Sequence, residues 1–115
     1  MKGYKFNDEG EIIKSKITLV WGSPASGKTT YVKNNMKLGD MIIDLDYIKQ
    51  SISMANKTSA DDRLLNTAIK IRELLYDLVS DKDFECNDVW IVAGLPDKNE
   101  RQNLIDRVKA DEVVS

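Results

Sequence analysis

The sequence predicts an α/β fold in which a short, mostly parallel sheet of about four strands carries helices on both faces. Short apolar runs at 17–21, 41–45 and 88–93 alternate with longer stretches of helical periodicity, so each strand is followed by a crossover rather than a hairpin. The 115 residues form one domain with room for an apolar core. A hydrophobic content of 42% and a charged content of 31% are those of a globular protein.

Taken in order, residues 1–16 form a polar lead-in. Tyr4, Lys5 and Phe6, then Glu11, Ile12 and Ile13, flank Asn7-Asp8-Glu9-Gly10, which reads as a hairpin or as a flexible arm. Residues 17–115 are the main domain, opening with the strand Ile17-Thr18-Leu19-Val20-Trp21. A helix follows from Gly27 or Lys28 to about Met36 and stops near Gly39, whose missing Cβ suits a helix C-cap. The run at 41–45 is a second buried strand. Asp46 can cap the next helix, with Ile48, Ile52 and Met54 on its buried face. Asn56, Lys57, Thr58 and Ser59 are loop-like, and the plain reading of Lys57 and Thr58 is solvated loop rather than substrate contact.

Over 60–80, Leu64, Ala68, Ile71, Leu75 and Leu78 recur at three- and four-residue spacing, the pattern of an amphipathic helix. Residues 88–93 form a third strand. A helix over 98–109 turns Leu104, Ile105 and Val108 inward, and Glu112-Val113-Val114 begins a fourth strand.

Gly22-Ser23-Pro24-Ala25-Ser26-Gly27-Lys28-Thr29 spells G-x-x-x-x-G-K-[ST], followed by Thr30. The pattern sits between a strand and a helix, the context that makes it a phosphate-binding P-loop. Its glycines let successive N–H groups point at phosphate oxygens, while the helix start offers its positive end. Lys28 then reaches the β/γ-phosphates and the Thr29 hydroxyl binds Mg²⁺, so ATP and Mg²⁺ are the expected ligands. Motif and topology together predict a three-layer αβα P-loop NTPase fold, with the site at the C-terminal strand edge.

Composition removes other chemistries. With no histidine, Ser/His triads and His-ligated metals are excluded, so a carboxylate, Lys or Tyr must handle any proton. The single Cys86 forms no internal disulfide and reads as an inert, buried thiol. A formal net charge of −2 and a pI near 5.1 argue against a broadly basic nucleic-acid binder. No run approaches the ~20 apolar residues of a membrane span, and a cytoplasmic location is expected.

Asp44-Leu45-Asp46-Tyr47-Ile48-Lys49-Gln50-Ser51 lies just past the second strand. If the strand persists that far, alternation sends Asp44 and Asp46 in one direction. Such carboxylates can orient Mg²⁺ through its waters or take a proton from an attacking hydroxyl. The plainer reading makes Asp46 a helix cap and Asp44 a solvated strand end.

Gly22 to Thr30 and the segment from Ile42 to Ser51 together resemble the P-loop kinases of the phage polynucleotide kinase type, and small ATP-binding proteins of phages and prophages. The resemblance runs from about Ile17 to Ser115. It implies that Asp46 is the base that activates a 5′-hydroxyl and that Lys49 holds the acceptor phosphate. Mg²⁺ would rest on Thr29 and Asp44, and the acceptor would be a nucleoside, a nucleotide or a nucleic-acid end. The chain departs from the family at Gly94, where the kinases usually carry an acid, so Asp97 would substitute or the metal would rely on Thr29 and Asp44. The resemblance also implies an Arg-bearing lid and a fifth strand beyond the fourth, and the sequence to Ser115 is expected to reach only into or just short of that region. A nucleotide-binding or ATPase module without transfer activity is the rival expectation.

Among other residues, Arg72 falls close to the apolar stripe and reads as a phosphate clamp or as a snorkelling surface arginine. Arg63 lies on the same helix. Arg101 and Arg107 fall on the last helix, where Arg101 can approach the nucleotide from the edge. Trp21 and Trp90 read as core residues rather than base-stacking platforms.

Overall fold

The computed structural model describes residues 1–54 and 62–115. The loop expected at 56–59, with Lys57 and Thr58, and the first residues of the helix expected from 60 lie outside the described residues.

The N-terminal segment is a hairpin. Strands β1 (Tyr4–Phe6) and β2 (Ile12–Lys14) pair antiparallel, with Phe6 opposite Ile12. Asn7 builds the turn, its Oδ1 accepting from the backbone N–H of Glu9 at 3.0 Å and of Glu11 at 2.9 Å. Lys5 Nζ, 2.6 Å from Asp88 Oδ2, ties the hairpin to the body.

The main sheet contains β3 (Ile17–Trp21), β4 (Met41–Ile43), β5 (Val89–Ala93) and β6 (Glu112–Val114). All its pairings are parallel and the order is β4-β5-β3-β6. The helices are α1 (Lys28–Asn35), α2 (Leu45–Ser53), α3 (Leu65–Ser80, after a 3-10 turn over Asp62–Leu64) and α4 (Lys98–Val108). Central strands β3 and β5 are apolar almost throughout because both their faces are covered. Ile17, Leu19, Val89 and Ile91 pack on Tyr76 and Val79 of α3 and on Leu104 and Val108 of α4. Val20, Trp90 and Val92 pack on Val32 of α1.

This layering positions the site. The connection through α1 carries the chain from β3 past β5 to the edge strand β4, and those through α3 and α4 run back the other way. A single crossover handedness puts helices of opposite travel on opposite faces. Neighbours β3 and β5 therefore send their following segments to opposite sides, and a crevice opens beyond their C-terminal ends.

Several boundaries differ from expectation. Helix α1 ends at Asn35, where extended Met36 caps it by donating its N–H to Val32 O at 2.7 Å. Gly39 caps nothing; it takes φ +96° in the turn closed by Asp40 N on Lys37 O at 3.0 Å. Strand β4 stops at Ile43 because Asp44 turns away to cap α2. On α2, Ile48 packs on the core, but Ile52 is 39% and Met54 96% exposed. The buried residues of α3 are Ala68, Tyr76 and Val79, while Ile71, Leu75 and Leu78 are only half-buried.

Asp111 fastens the start of β3. Its Oδ2 accepts from the backbone N–H of buried Ile17 at 2.8 Å and its Oδ1 from Lys14 Nζ at 3.1 Å. Burial pushes this carboxyl up, but the Ile17 N–H and the Lys14 ammonium outweigh it and hold the carboxyl below its ordinary value. A folded-state value below the unfolded one stabilises above about pH 4, and that contribution disappears as pH falls through the folded value. Asp111→Ala leaves the Ile17 N–H unpaired and is expected to cost about 1–3 kcal/mol, read by urea unfolding at pH 7, with a smaller difference near pH 3.

Candidate phosphate-binding cleft

The loop from Gly22 to Gly27 joins β3 to α1 at the crevice. Gly22 has φ +156° and Gly27 φ +87°, with Ala25 between them at φ +62°. A Cβ on Gly22 would lie 2.7 Å from Ser26 Oγ, a hydroxyl that can rotate aside, so the φ rather than the space is what favours glycine there. Gly27 caps α1 without a side-chain hydrogen bond, leaving the first N–H groups of the helix available to an anion. Lys28 Nζ bends back to donate to Gly22 O and Ser23 O, both at 2.8 Å. Gly22→Ala places a Cβ at a backbone conformation that L side chains rarely adopt. It is expected to cost about 1–3 kcal/mol in stability, measured as a drop in Tm, and to weaken any phosphate binding at the loop.

A cleft of about 970 Å³ runs from this loop across the strand ends and along the groove between α3 and α4. It is lined by residues 24–30, 44–46 and 92–95, and on its far wall by Arg72, Glu73, Tyr76 and Arg107. Pro24, Ala25, Ser26, Gly27, Lys28, Thr29 and Thr30 thus meet Asp44 and Asp46 in one cavity. Gly22 and Ser23 do not line it; they hold the Lys28 ammonium from behind.

The cap falls to the other aspartate than the plainer reading of the sequence has it, and Asp44 is not a solvated strand end. Asp44, 5% exposed, is the N-cap of α2, with Oδ1 accepting from Asp46 N at 2.9 Å. Asp46 is an exposed residue of the first helical turn, not the cap. Both face the cleft because the helix begins two residues earlier than the apolar run implies. Lys49 sits on the next turn, half-buried, and is not among the cleft-lining residues.

Past β5, Gly94 lines the cleft and a Cβ there would meet nothing within 4 Å. Asp97 does not stand in for an acid at that position. Its Oδ1 caps α4, accepting from Asn99 N at 2.7 Å and Glu100 N at 3.1 Å, and it lies outside the cleft lining. Arg101 is likewise occupied elsewhere. Its guanidinium lies 3.9 Å from the centre of the Trp21 ring, and Nη1 donates to Leu95 O and Pro96 O at 2.9 Å. Trp21 is therefore a half-buried platform for Arg101, whereas Trp90 is core and donates to Asp40 Oδ2 at 3.0 Å. Cys86, expected to be buried, is only half-buried, and what burial it has pushes its thiol up. Arg63 is exposed on the 3-10 turn, away from the cleft lining.

The far wall was not legible as a unit. Tyr76 is buried, and its guanidinium neighbours lie 5.6 Å (Arg72) and 5.3 Å (Arg107) from its ring centre. Burial pushes its hydroxyl up, against the opposing pull of Arg72. Glu73 accepts from Arg107 Nη1 at 2.8 Å, and Asp77 from its Nη2 at 2.9 Å. The available signal was the spacing 68, 72, 76, 79, which runs at helical intervals beside the leucine stripe.

Among the described residues no group of three or more carboxylate or thiol side chains gathers to hold a metal ion; Thr29 and Asp44 offer only two oxygen donors of the hard kind that Mg²⁺ takes beside waters and phosphates. Both residues line the cleft, and Asp44 Oδ2 accepts no hydrogen bond among the described residues. No helix among the described residues is long and apolar enough to cross a membrane. No family model, curated protein or solved structure matches this chain.

Proposed function

We propose that this chain has a P-loop NTPase fold, binds ATP with Mg²⁺ in the cleft, and transfers the γ-phosphoryl group to a hydroxyl of a nucleoside, nucleotide or nucleic-acid end. The observation that carries the reading is the Lys28 ammonium, held over the Gly22 and Ser23 carbonyls beside the uncapped start of α1. An ammonium and open amides converging at a topological switch point form an anion seat. The triphosphate tail lies along residues 24–29, with Lys28 leaving its carbonyl partners for β/γ-oxygens.

Thr29 and Asp44 would hold Mg²⁺, which when bound neutralises charge on the β- and γ-oxygens. Asp46, exposed at the start of α2 and facing the same cavity, takes the proton of the acceptor hydroxyl as its oxygen bonds to the γ-phosphorus. The bond to the β–γ bridging oxygen breaks and ADP leaves. Phosphoryl transfer asks mainly for positioning and charge stabilisation, which suits a site with no histidine.

A second reading rests on Gly94. An acid would have space there, but the residue has no side chain, which favours a nucleotide-binding module without transfer. Incubation of the full chain with γ-labelled ATP and a 5′-hydroxyl thymidine oligonucleotide separates the two. Label on the oligonucleotide supports the kinase, ATP binding without label supports the module, and absence of ATP binding contradicts both.

A further inference from the structure

Two segments diverge at the crevice, and one side chain joins them. Trp21 and Ala93 stand opposite each other as the last residues of β3 and β5. Beyond them the chain enters the phosphate loop on one side and the turn at 94–96 that leads into α4 on the other. Strand pairing ends at Trp21 and Ala93, so the two segments need another tie. Arg101 of α4 supplies it. Its guanidinium lies 3.9 Å from the centre of the Trp21 ring, and Nη1 donates to Leu95 O and Pro96 O at 2.9 Å. Trp21 falls on the α3–α4 face because Ile17 and Leu19 pack there and strand side chains alternate. The residue after Trp21 is Gly22, whose carbonyl holds Lys28 Nζ at 2.8 Å.

The tie is not free of cost. Leu95 has φ +42°, a left-handed conformation that residues other than glycine rarely adopt. Such a residue persists only where its surroundings over-determine it. Here the Arg101 donor on its carbonyl and the packing of its side chain on the main core do so. A guanidinium near the start of α4 also sits at the positive end of the helix dipole, where a neutral residue would be better placed. Both costs serve geometry at the cleft. Gly94 and Leu95 line it beside residues 24–30, whereas Trp21 and Arg101 stand outside the lining.

We propose that Arg101 is a positioning residue for the triphosphate seat: by fastening the turn at 94–96 to Trp21, it fixes the direction in which the phosphate loop leaves β3. The inference rests on the proposed function and adds to it how the seat keeps its shape before a ligand arrives. A loop already held in its binding shape loses less freedom on binding, and a displacement that starts outside the contact residues can still cost a large factor. The guanidinium acts by lying flat on the indole, which an ammonium, having no plane, does not reproduce.

The test measures the affinity of the full chain for a non-hydrolysable ATP analogue and for inorganic tripolyphosphate, each with Mg²⁺, by calorimetry well below Tm. Arg101→Met keeps the length of the side chain but removes its plane and its donors, and both affinities are expected to fall about tenfold. Trp21→Leu is expected to weaken binding to a similar degree, and the double variant no further than either alone, because the two side chains act as one unit. Arg101→Lys is expected to recover little. Full recovery in Arg101→Lys, additive losses in the double variant, or a fall in Tm with both affinities unchanged overturns the inference and leaves ATP binding intact. A loss for the ATP analogue that tripolyphosphate does not share would put the pair against the nucleoside and overturn the positioning role. A wild-type chain that binds neither ligand removes the triphosphate reading and this inference with it.

Discussion

Lys28→Ala is expected to weaken triphosphate binding at least a hundredfold while leaving the chain folded. The side chain is half-buried and bonds only to carbonyls of its own loop, so the loss of two such bonds costs the folded state about 1–3 kcal/mol. In the bound state the same ammonium faces phosphate oxygens, and hydrogen bonds between charged partners contribute roughly 1.5–3 kcal/mol each. Two such contacts amount to roughly 3–6 kcal/mol, a loss of a hundredfold to ten-thousandfold in affinity. Displacement of a fluorescent ATP analogue, run beside a urea melt, reads both quantities. Equal affinity in the variant would remove the loop as the triphosphate seat.

The second large effect is expected at Asp46. Asparagine keeps the size of the side chain and still suits the first turn of α2, so ATP affinity and Tm are expected to stay close to wild type. Transfer to an acceptor hydroxyl is expected to fall about 10²–10⁴-fold, the usual contribution of a positioned general base. Single-turnover transfer from γ-labelled ATP measures the step itself. Transfer that survives in Asp46→Asn, with Asp44→Asn as the comparison, would move the base elsewhere. Asp44 is the less suited of the two for proton transfer, because it is buried and already caps the helix.

The parallel sheet, its helices and the loop were legible because each depends on local signals. Apolar runs mark strands, Gly22 and Gly27 mark a tight turn, and both glycines take the positive φ that the motif requires. The helix ends were less legible, since caps are decided by tertiary fit. Met36 ends α1 in an extended conformation and packs against the cluster of Val20, Val32, Trp90 and Val92, and the glycine downstream serves only the following turn. At α2, a carboxylate that could cap from either position does so from Asp44, which shifts the helix start and the roles of both aspartates. The far wall depended on a rotation of α3 that leucine spacing misjudged. Tyr76 and Val79, not Leu75 and Leu78, are its deepest residues, and that rotation brings Arg72 and Glu73 to the cleft.

The central claim is that the cleft grips a chain of phosphates, and a calorimetric series of AMP, ADP and ATP with Mg²⁺ on the intact chain tests it most directly. Affinity is expected to climb with each added phosphate. At a hundredfold excess over the dissociation constant, ATP would stabilise the fold by about 2.7 kcal/mol, visible as a rise in Tm. Equal affinity across the three nucleotides, or no heat and no change in Tm with ATP, would contradict the account.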